Sequence, residues 1–407
     1  MNIGFYIANI SPADGGIFQY SLYILRMLVK CDSVNSIYLF QSNDQHEALS
    51  EFLNDRKVRA VICNGNTRIK NLMRQASEFW ITRYYMRIKS PKYFLNLYKL
   101  LNPERKQLNK FNIDLLHVPR QHSPAYKLKY PVIITMHDIQ HVHYPEFFTP
   151  LERVHKAIRY YITMSETDQV IVSYHHVKND LIKYFKTKDE KISVCPVPVN
   201  DDWMTNSATS FELLKEKYHL PEVYIMTPAA TWEHKNHIAV LEALNLLRGE
   251  SFKVFWISTG NKTPFYEVIS EKIKSLNLED QVLFPGIVSD SDLKGLYQNT
   301  SLVVIPTLYE AGSGPLFEAM RYKKPVICSN VTSLPETIDN PEFTFNPLNI
   351  MELAGLIKRG LTDTQFIERN LENSRKRTDY FKSIDYDTAF LNTYSKATQG
   401  FIQKEID

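Results

Sequence analysis

The sequence has no apolar run approaching the roughly 20 residues that a membrane-spanning helix needs. Its four cysteines, Cys31, Cys63, Cys195 and Cys328, stand far apart and form no Cys-x-x-Cys pair. A zinc finger or a thioredoxin-type redox motif is thereby excluded. The four read as buried thiols of a reducing compartment. Charge of one sign is also scarce: 48 basic against 45 acidic residues leave a net charge of +3, too small to imply a nucleic-acid partner. Asp14-Gly15-Gly16 follows the first apolar segment, but it is not Gly-x-Gly-x-x-Gly, so the dinucleotide fingerprint is missing. No repeat at solenoid periods and no low-complexity tract interrupts the chain. The first residues, MNIGFYIANIS, lack a basic flank and a small-residue cleavage site, and read as a core strand rather than a signal peptide. A cytoplasmic protein is expected, with peripheral contact at the inner face of a membrane left open.

What is present is an ordinary globular composition, 44% hydrophobic and 23% charged, spread over 407 residues. That length exceeds a single core and predicts two domains of about 200 residues each. Strand-like runs at Ile3–Ile10, Ile37–Phe40, Leu115–Val118, Val132–Met136 and Val170–Ser173 alternate with helical stretches such as Ile17–Val29. The Pro- and Asp-rich stretch Ser193–Trp203 breaks this alternation and marks a junction. A second series follows, with strands at Val223–Thr227, Lys253–Ser258, Gln281–Phe284, Leu302–Ile305 and Pro325–Cys328. Helices are expected between them, at Ile238–Leu247, Tyr266–Leu276, Asp292–Tyr297, Pro315–Tyr322 and Met351–Leu361. The reading is therefore α/β, with two doubly wound parallel sheets and domains at 1–198 and 199–381, followed by a terminal helix within 382–407. Such sheets bind ligands beyond the carboxyl ends of their strands, so the loops directly after strands are the places to search.

The loop after Leu302–Ile305 runs PTLYEAGSGPLFEAM and holds Glu310 and Glu318. Between the two acids lie Gly312, Ser313 and Gly314, small residues that let a ligand approach the backbone closely. Pro315 suits the first turn of a helix, with Ser313 or Gly314 as its cap. The free N–H groups of that helix end are suited to an anionic or hydroxylated ligand. Glu318, in the first turn, has the geometry to accept two ribose hydroxyls, and Glu310 to face a sugar or a developing positive charge. Taken singly, Glu318 could merely complement the helix dipole and Glu310 could be a surface acid. Their combination with this loop points to a site. After Val223–Thr227 comes PAATWEHKNH, which puts Lys235 at a helix start, where it could neutralise a diphosphate.

Glu310-x7-Glu318 followed by Ala319-Met320 resembles the hallmark of glycosyltransferase family 4, retaining enzymes of GT-B fold. The family's usual Glu-Gly-Phe-Gly is replaced here by Glu310-Ala311-Gly312-Ser313. The resemblance extends in element order from Ile3 to about Phe381, and its wording is similar to mannosyltransferase-type members. It implies two Rossmann-like domains facing across a cleft, the first acceptor-side and the second holding the nucleotide sugar, with the terminal helix crossing back. It implies Glu318 on the donor ribose, Lys235 on the diphosphate and Glu310 as the catalytic carboxylate that orients the donor sugar and stabilises its developing positive charge. His137 would touch the transferring sugar, and Gly15 and Gly16 would face the donor phosphates. Thr231 and Asn236 fall in the donor loop; the family's Arg is absent there, its stretch filled by Thr231, Trp232 and Glu233. Asp138 is placed on the acceptor side, and His141 and His143 read as packing or acceptor-side residues.

Two patterns suggest a metal. His137, Asp138, His141 and His143 cluster after one strand, and Asp290-Ser-Asp292 is a DxD. The family uses the first without metal, and the second reads as a helix cap. No metal or other cofactor is expected beyond the nucleotide-sugar co-substrate. Finally, residues 68–110 carry eleven basic against two acidic residues, interleaved with Phe79, Trp80, Tyr84, Tyr85, Tyr93, Phe94 and Tyr98. That composition suits either an interfacial element on anionic lipid or a solvated helix with its aromatics in the core. The expected activity is transfer of a sugar, first mannose from GDP-mannose, to a lipid-linked glycan. The competing readings are a non-catalytic glycan- or membrane-binding protein and a sugar-nucleotide epimerase.

Overall fold

A computed structural model describes residues 1–8, 10–11, 16–42, 47, 49–63, 104–197 and 207–406. Its contacts divide the chain into two compact units, Met1–Pro198 with Asp385–Asp407, and Val199–Ile384.

The first unit is built on a parallel sheet of β1 (Asn2–Tyr6), β2 (Ser36–Gln41), β3 (Val58–Ile62), β4 (Leu115–Val118), β5 (Val132–Thr135), β6 (Gln169–Val172) and β7 (Ile192–Val194). The spatial order is β3-β2-β1-β4-β5-β6-β7, so the winding reverses between β1 and β4. Every residue of β4, β5 and β6 is buried. That is why these segments read as unbroken apolar runs: helices cover both faces of a parallel sheet. Side chains alternate between two cores. Ile3 and Phe5 pack on one side with Leu25, Leu28 and Phe390, and Tyr6 packs on the other with Leu116 and Ile134. The C-terminal helix Tyr386–Ile406 belongs to this unit and buries Phe390, Tyr394 and Ala397 in the first of those cores.

The second unit carries β8 (Ile225–Pro228), β9 (Trp256–Thr259), β10 (Val282–Gly286), β11 (Leu302–Ile305), β12 (Val326–Ser329) and β13 (Thr344–Phe345), in the order β10-β9-β8-β11-β12-β13. All pairings are parallel, and the winding reverses between β8 and β11. The expected α/β class with two doubly wound sheets is what the chain forms.

Three strands had no counterpart in the sequence reading: β3, β7 and β13. All three are sheet edges. An edge strand is covered on fewer sides and needs no continuous apolar run, and β3 accordingly carries exposed Arg59 and Ala60. The DxD acids also behave differently from expectation. The helix Asp290–Asn299 is capped by Ser289, whose hydroxyl accepts from the Asp292 N–H at 3.1 Å. The Asp292 carboxylate is instead taken up by Thr209, Lys217 and Tyr218 at 2.7, 2.6 and 2.7 Å. Both of its oxygens are thus engaged within the second unit. Among the described residues no helix is long and apolar enough to cross a membrane. Most of the basic segment, residues 68–103, lies outside the described residues, as does Gly15. At its described end Glu104 accepts a hydrogen bond from the Tyr6 hydroxyl.

Candidate functional site

The loops after β8 and β11 leave the second sheet at the point where its winding reverses, the crevice where doubly wound sheets bind ligands. Lys235 comes from the first loop and Glu310 from the second, and they meet: Lys235 Nζ lies 2.7 Å from Glu310 Oε2, with 21% and 12% of the two side chains exposed. Thr227, Lys235, Thr307, Glu310, Ser313 and Pro315 are among the residues lining an open pocket with about 250 Å³ of empty space.

Several bonds hold Lys235 in place. It ends the 3₁₀ turn Glu233–Lys235, after which Asn236 turns left-handed at φ 57°, a conformation Asn tolerates well. The Asn236 amide donates to the carbonyls of Pro306 and Pro347, each at 3.0 Å. The His234 carbonyl accepts from the Leu308 N–H at 2.7 Å and the Thr307 hydroxyl at 2.9 Å. Burial and the adjacent Lys235 charge push the His234 imidazole down to about 4, so it is neutral near pH 7. Glu310 is fixed through its backbone: its N–H donates to the Thr332 hydroxyl at 3.0 Å, and its carbonyl accepts from Ser333 at 2.9 Å.

Glu318 sits in the helix Gly314–Arg321, which is capped by Ser313 accepting from the Leu316 N–H at 3.3 Å. It is half-buried, and its Oε2 accepts from the Tyr297 hydroxyl at 2.6 Å. Burial pushes this carboxyl up, and the Tyr297 hydrogen bond opposes that by stabilising the anion. Its Oε1 lies 3.7 Å from where a Cβ on Gly314 would stand, so the glycine opens the space beside it. Gly312 is exposed with Gly314, and Ser313 is buried under them.

Other residues take different parts. Thr231 is 1% exposed and stitches its loop to the one after β9: its hydroxyl accepts from the Thr263 N–H at 2.8 Å, and its carbonyl from the Thr263 hydroxyl at 2.6 Å. Its place is structural, supporting the Lys235 loop, rather than on a ligand. Thr307, Thr332, Ser333 and Tyr297 were not singled out from the sequence. The first three are small hydroxyl residues on loops after β11 and β12, a weak signal. Tyr297 reads simply as a core aromatic.

In the first unit His137 follows β5 and is half-buried. Its Nε2 lies 3.0 Å from the Pro119 carbonyl, which can only accept, so Nε2 carries the proton and Nδ1 is left as an acceptor. Burial holds its pKa below the usual imidazole value. The Tyr20 ring meets it edge-on at 4.8 Å. Asp138 is half-buried beside it. His141, expected on the acceptor side, is 7% exposed and packs edge-on against Tyr160 at 5.1 Å, a core position. His143 pairs with Asp180 at 2.6 Å. Gly16 opens the helix Gly16–Lys30 and is exposed. Among the described residues no three His, Cys, Asp or Glu side chains are grouped to hold a metal.

Comparison with known proteins agrees with this geometry. Residues 47–203 match the family model Glycosyltransferase Family 4, and residues 212–377 match Glycosyl transferases group 1. The serotype-specific mannosyltransferase WbdA of Escherichia coli is 28% identical over 250 residues, 59% of this chain but 30% of that protein, so the match spans under a third of its length. The O-antigen chain mannosyltransferase B of Escherichia coli is 23% identical over 97% of this chain and 99% of its own. Among solved structures, Anabaena HepE in complex with UDP superposes with a TM-score of 0.68 at 16% identity, covering 97% of this chain and 100% of HepE. That likeness shows the GT-B fold. With tandem models across both units and a full-length relative, this chain belongs to glycosyltransferase family 4.

Proposed function

We propose that this glycosyltransferase moves a hexosyl group from a nucleoside diphosphate sugar to a glycan hydroxyl, with retention at the anomeric carbon. GDP-mannose is the favoured donor and a lipid-linked surface polysaccharide the favoured acceptor. The mannosyltransferase names of relatives, two of them O-antigen chain enzymes, support both choices. The observation that carries the reading is the Lys235–Glu310 pair at 2.7 Å, set on two loops at the winding reversal of the second sheet.

The chemistry follows from charge. As the bond between the anomeric carbon and the diphosphate breaks, negative charge grows on the leaving phosphate and positive charge on the sugar ring. Lys235 neutralises the first and Glu310 the second. Because the two side chains already compensate each other, both are held in position at little cost in reorganisation. N–H groups at the start of the helix Gly314–Arg321 add donors for the diphosphate, so the reading calls for no metal. Glu318 takes the ribose. In the first unit, His137 offers its Nδ1 lone pair to a sugar hydroxyl, with Asp138 beside it on the acceptor side. The basic segment 68–110 would bring the enzyme to an anionic membrane surface, where such an acceptor resides.

The test is turnover of GDP-mannose and of UDP-sugars by Glu310→Gln and Lys235→Ala. Each substitution is expected to lower kcat by about 10²–10³-fold. Unchanged turnover in both would contradict the reading. Epimerised donor formed without acceptor would replace it.

A further inference from the structure

Tyr297 is fully buried on the helix Asp290–Asn299, and nothing in the proposed chemistry uses it. Its hydroxyl nonetheless donates to Glu318 Oε2 at 2.6 Å. Its ring stacks on Tyr322, centroids 5.3 Å apart and planes 9° from parallel, so the phenol has no freedom to swing away. The sequence reading puts Glu318 in the first turn, but the helix already starts at Gly314 and Glu318 falls in its second turn. A glutamate there has several rotamers, and only one oxygen of Glu318 is tied. Among the described residues Oε1 makes no hydrogen bond, and it faces the space beside Gly314.

We propose that Tyr297 is a positioning residue for the donor ribose: by pinning Oε2 it fixes the rotamer of Glu318 and presents Oε1 to the sugar hydroxyls. This rests on the reading of Glu318 as the ribose acceptor. It adds that ribose recognition depends on a side chain that never touches the nucleotide. A short bond from a neutral phenol also favours the ionised carboxylate, the form that accepts from a hydroxyl. Tyr322 and Arg321 are the other titratable groups at this corner. Burial and the Glu318 charge push the Tyr322 phenol up against the opposing Arg321 charge, so Tyr322 is neutral near pH 7.

The experiment is a binding cycle on the full chain. GDP and 2′,3′-dideoxy-GDP, and likewise UDP and its dideoxy analogue, are titrated into wild type, Tyr297→Phe and Glu318→Ala. Wild type should prefer the ribose form, and Glu318→Ala should abolish the preference. Tyr297→Phe should cut the preference by about tenfold, the size of one charged hydrogen bond, while the dideoxy affinity stays within twofold. Thermal melting checks that the Phe variant is folded; should it not be, Tyr297→His, which keeps a ring donor, serves as the second variant and should restore part of the preference. Equal weakening of both analogues in a folded Tyr297→Phe, or a preference left at the wild-type value, would overturn the proposal while Glu318 kept its role. A preference that survives in Glu318→Ala would overturn the ribose reading and this proposal with it.

Discussion

Lys235 and Glu310 lie 75 positions apart in sequence and 2.7 Å apart in space. A diphosphate must therefore compete with a carboxylate for the ammonium, and Lys235→Ala leaves a half-buried anion uncompensated as well as removing a phosphate partner. The same reasoning applies to Gly314. A methyl there would stand 3.7 Å from Glu318 Oε1, ordinary contact that the fold accommodates, yet inside the space a hydroxyl would use. Gly314→Ala is therefore expected to weaken nucleotide binding about tenfold without lowering the melting temperature, checked by titration and thermal unfolding. At this scale the sequence was legible where a residue's own chemistry announces it. Glu310, Glu318 and Lys235 could be named because acids and a lysine on or just after small-residue loops that follow strands suggest a polar, charged ligand. Thr231 could not be assigned correctly: whether its hydroxyl faces a ligand or the Thr263 N–H depends on the path of the loop after β9, to which no local pattern points.

The loop that carries Lys235 owes its shape to its neighbours. Gly260, at the end of β9, has φ 128°, and a Cβ there would stand 2.7 Å from the backbone of Ala229 and Ala230. Gly260→Ala must push this loop away, at a cost of about 1–3 kcal/mol from the strained backbone, and should lower both the melting temperature and donor affinity. The helix Phe211–Tyr218 is fastened to the helix Asp290–Asn299 through Asp292. Burial alone would raise that carboxyl; hydrogen bonds from Lys217, Thr209 and Tyr218 outweigh it and hold it at about 2. A depressed acid stabilises the folded state above its unfolded pKa, so the contribution is complete above roughly pH 4 and fades as pH falls toward 2. Asp292→Asn should flatten that part of the acid-unfolding curve, followed by circular dichroism. Burial made some strands easy to read, although the edge strand β10 was also found and the fully buried β9 was expected three residues early. Leu115–Val118 and Leu302–Ile305 appear at their sequence bounds because all their residues are covered, whereas β3, β7 and β13 at the edges carry no such signature.

Within the first unit, the terminal helix closes a buried polar chain. Tyr394 lies 2.8 Å from His117 Nδ1, and Thr135 lies 3.1 Å from His117 Nε2 and 3.2 Å from the Tyr20 hydroxyl, whose ring walls His137. His117 is pushed down to about 3 by burial and stays neutral, one nitrogen donating and the other accepting. Periodicity reveals the helix, but it does not reveal that a tyrosine near the chain end and a histidine on β4 share a bond. At the scale of the whole molecule, the account's central claim is a donor site at the winding reversal of the second sheet. Its most direct test is calorimetric titration of the full chain with GDP and with UDP in the presence of a chelator, repeated for Lys235→Ala and Glu318→Ala. The account predicts saturable, metal-independent binding of one nucleotide, weakened at least tenfold by each substitution. Binding of neither nucleotide, or binding indifferent to both substitutions, would contradict it.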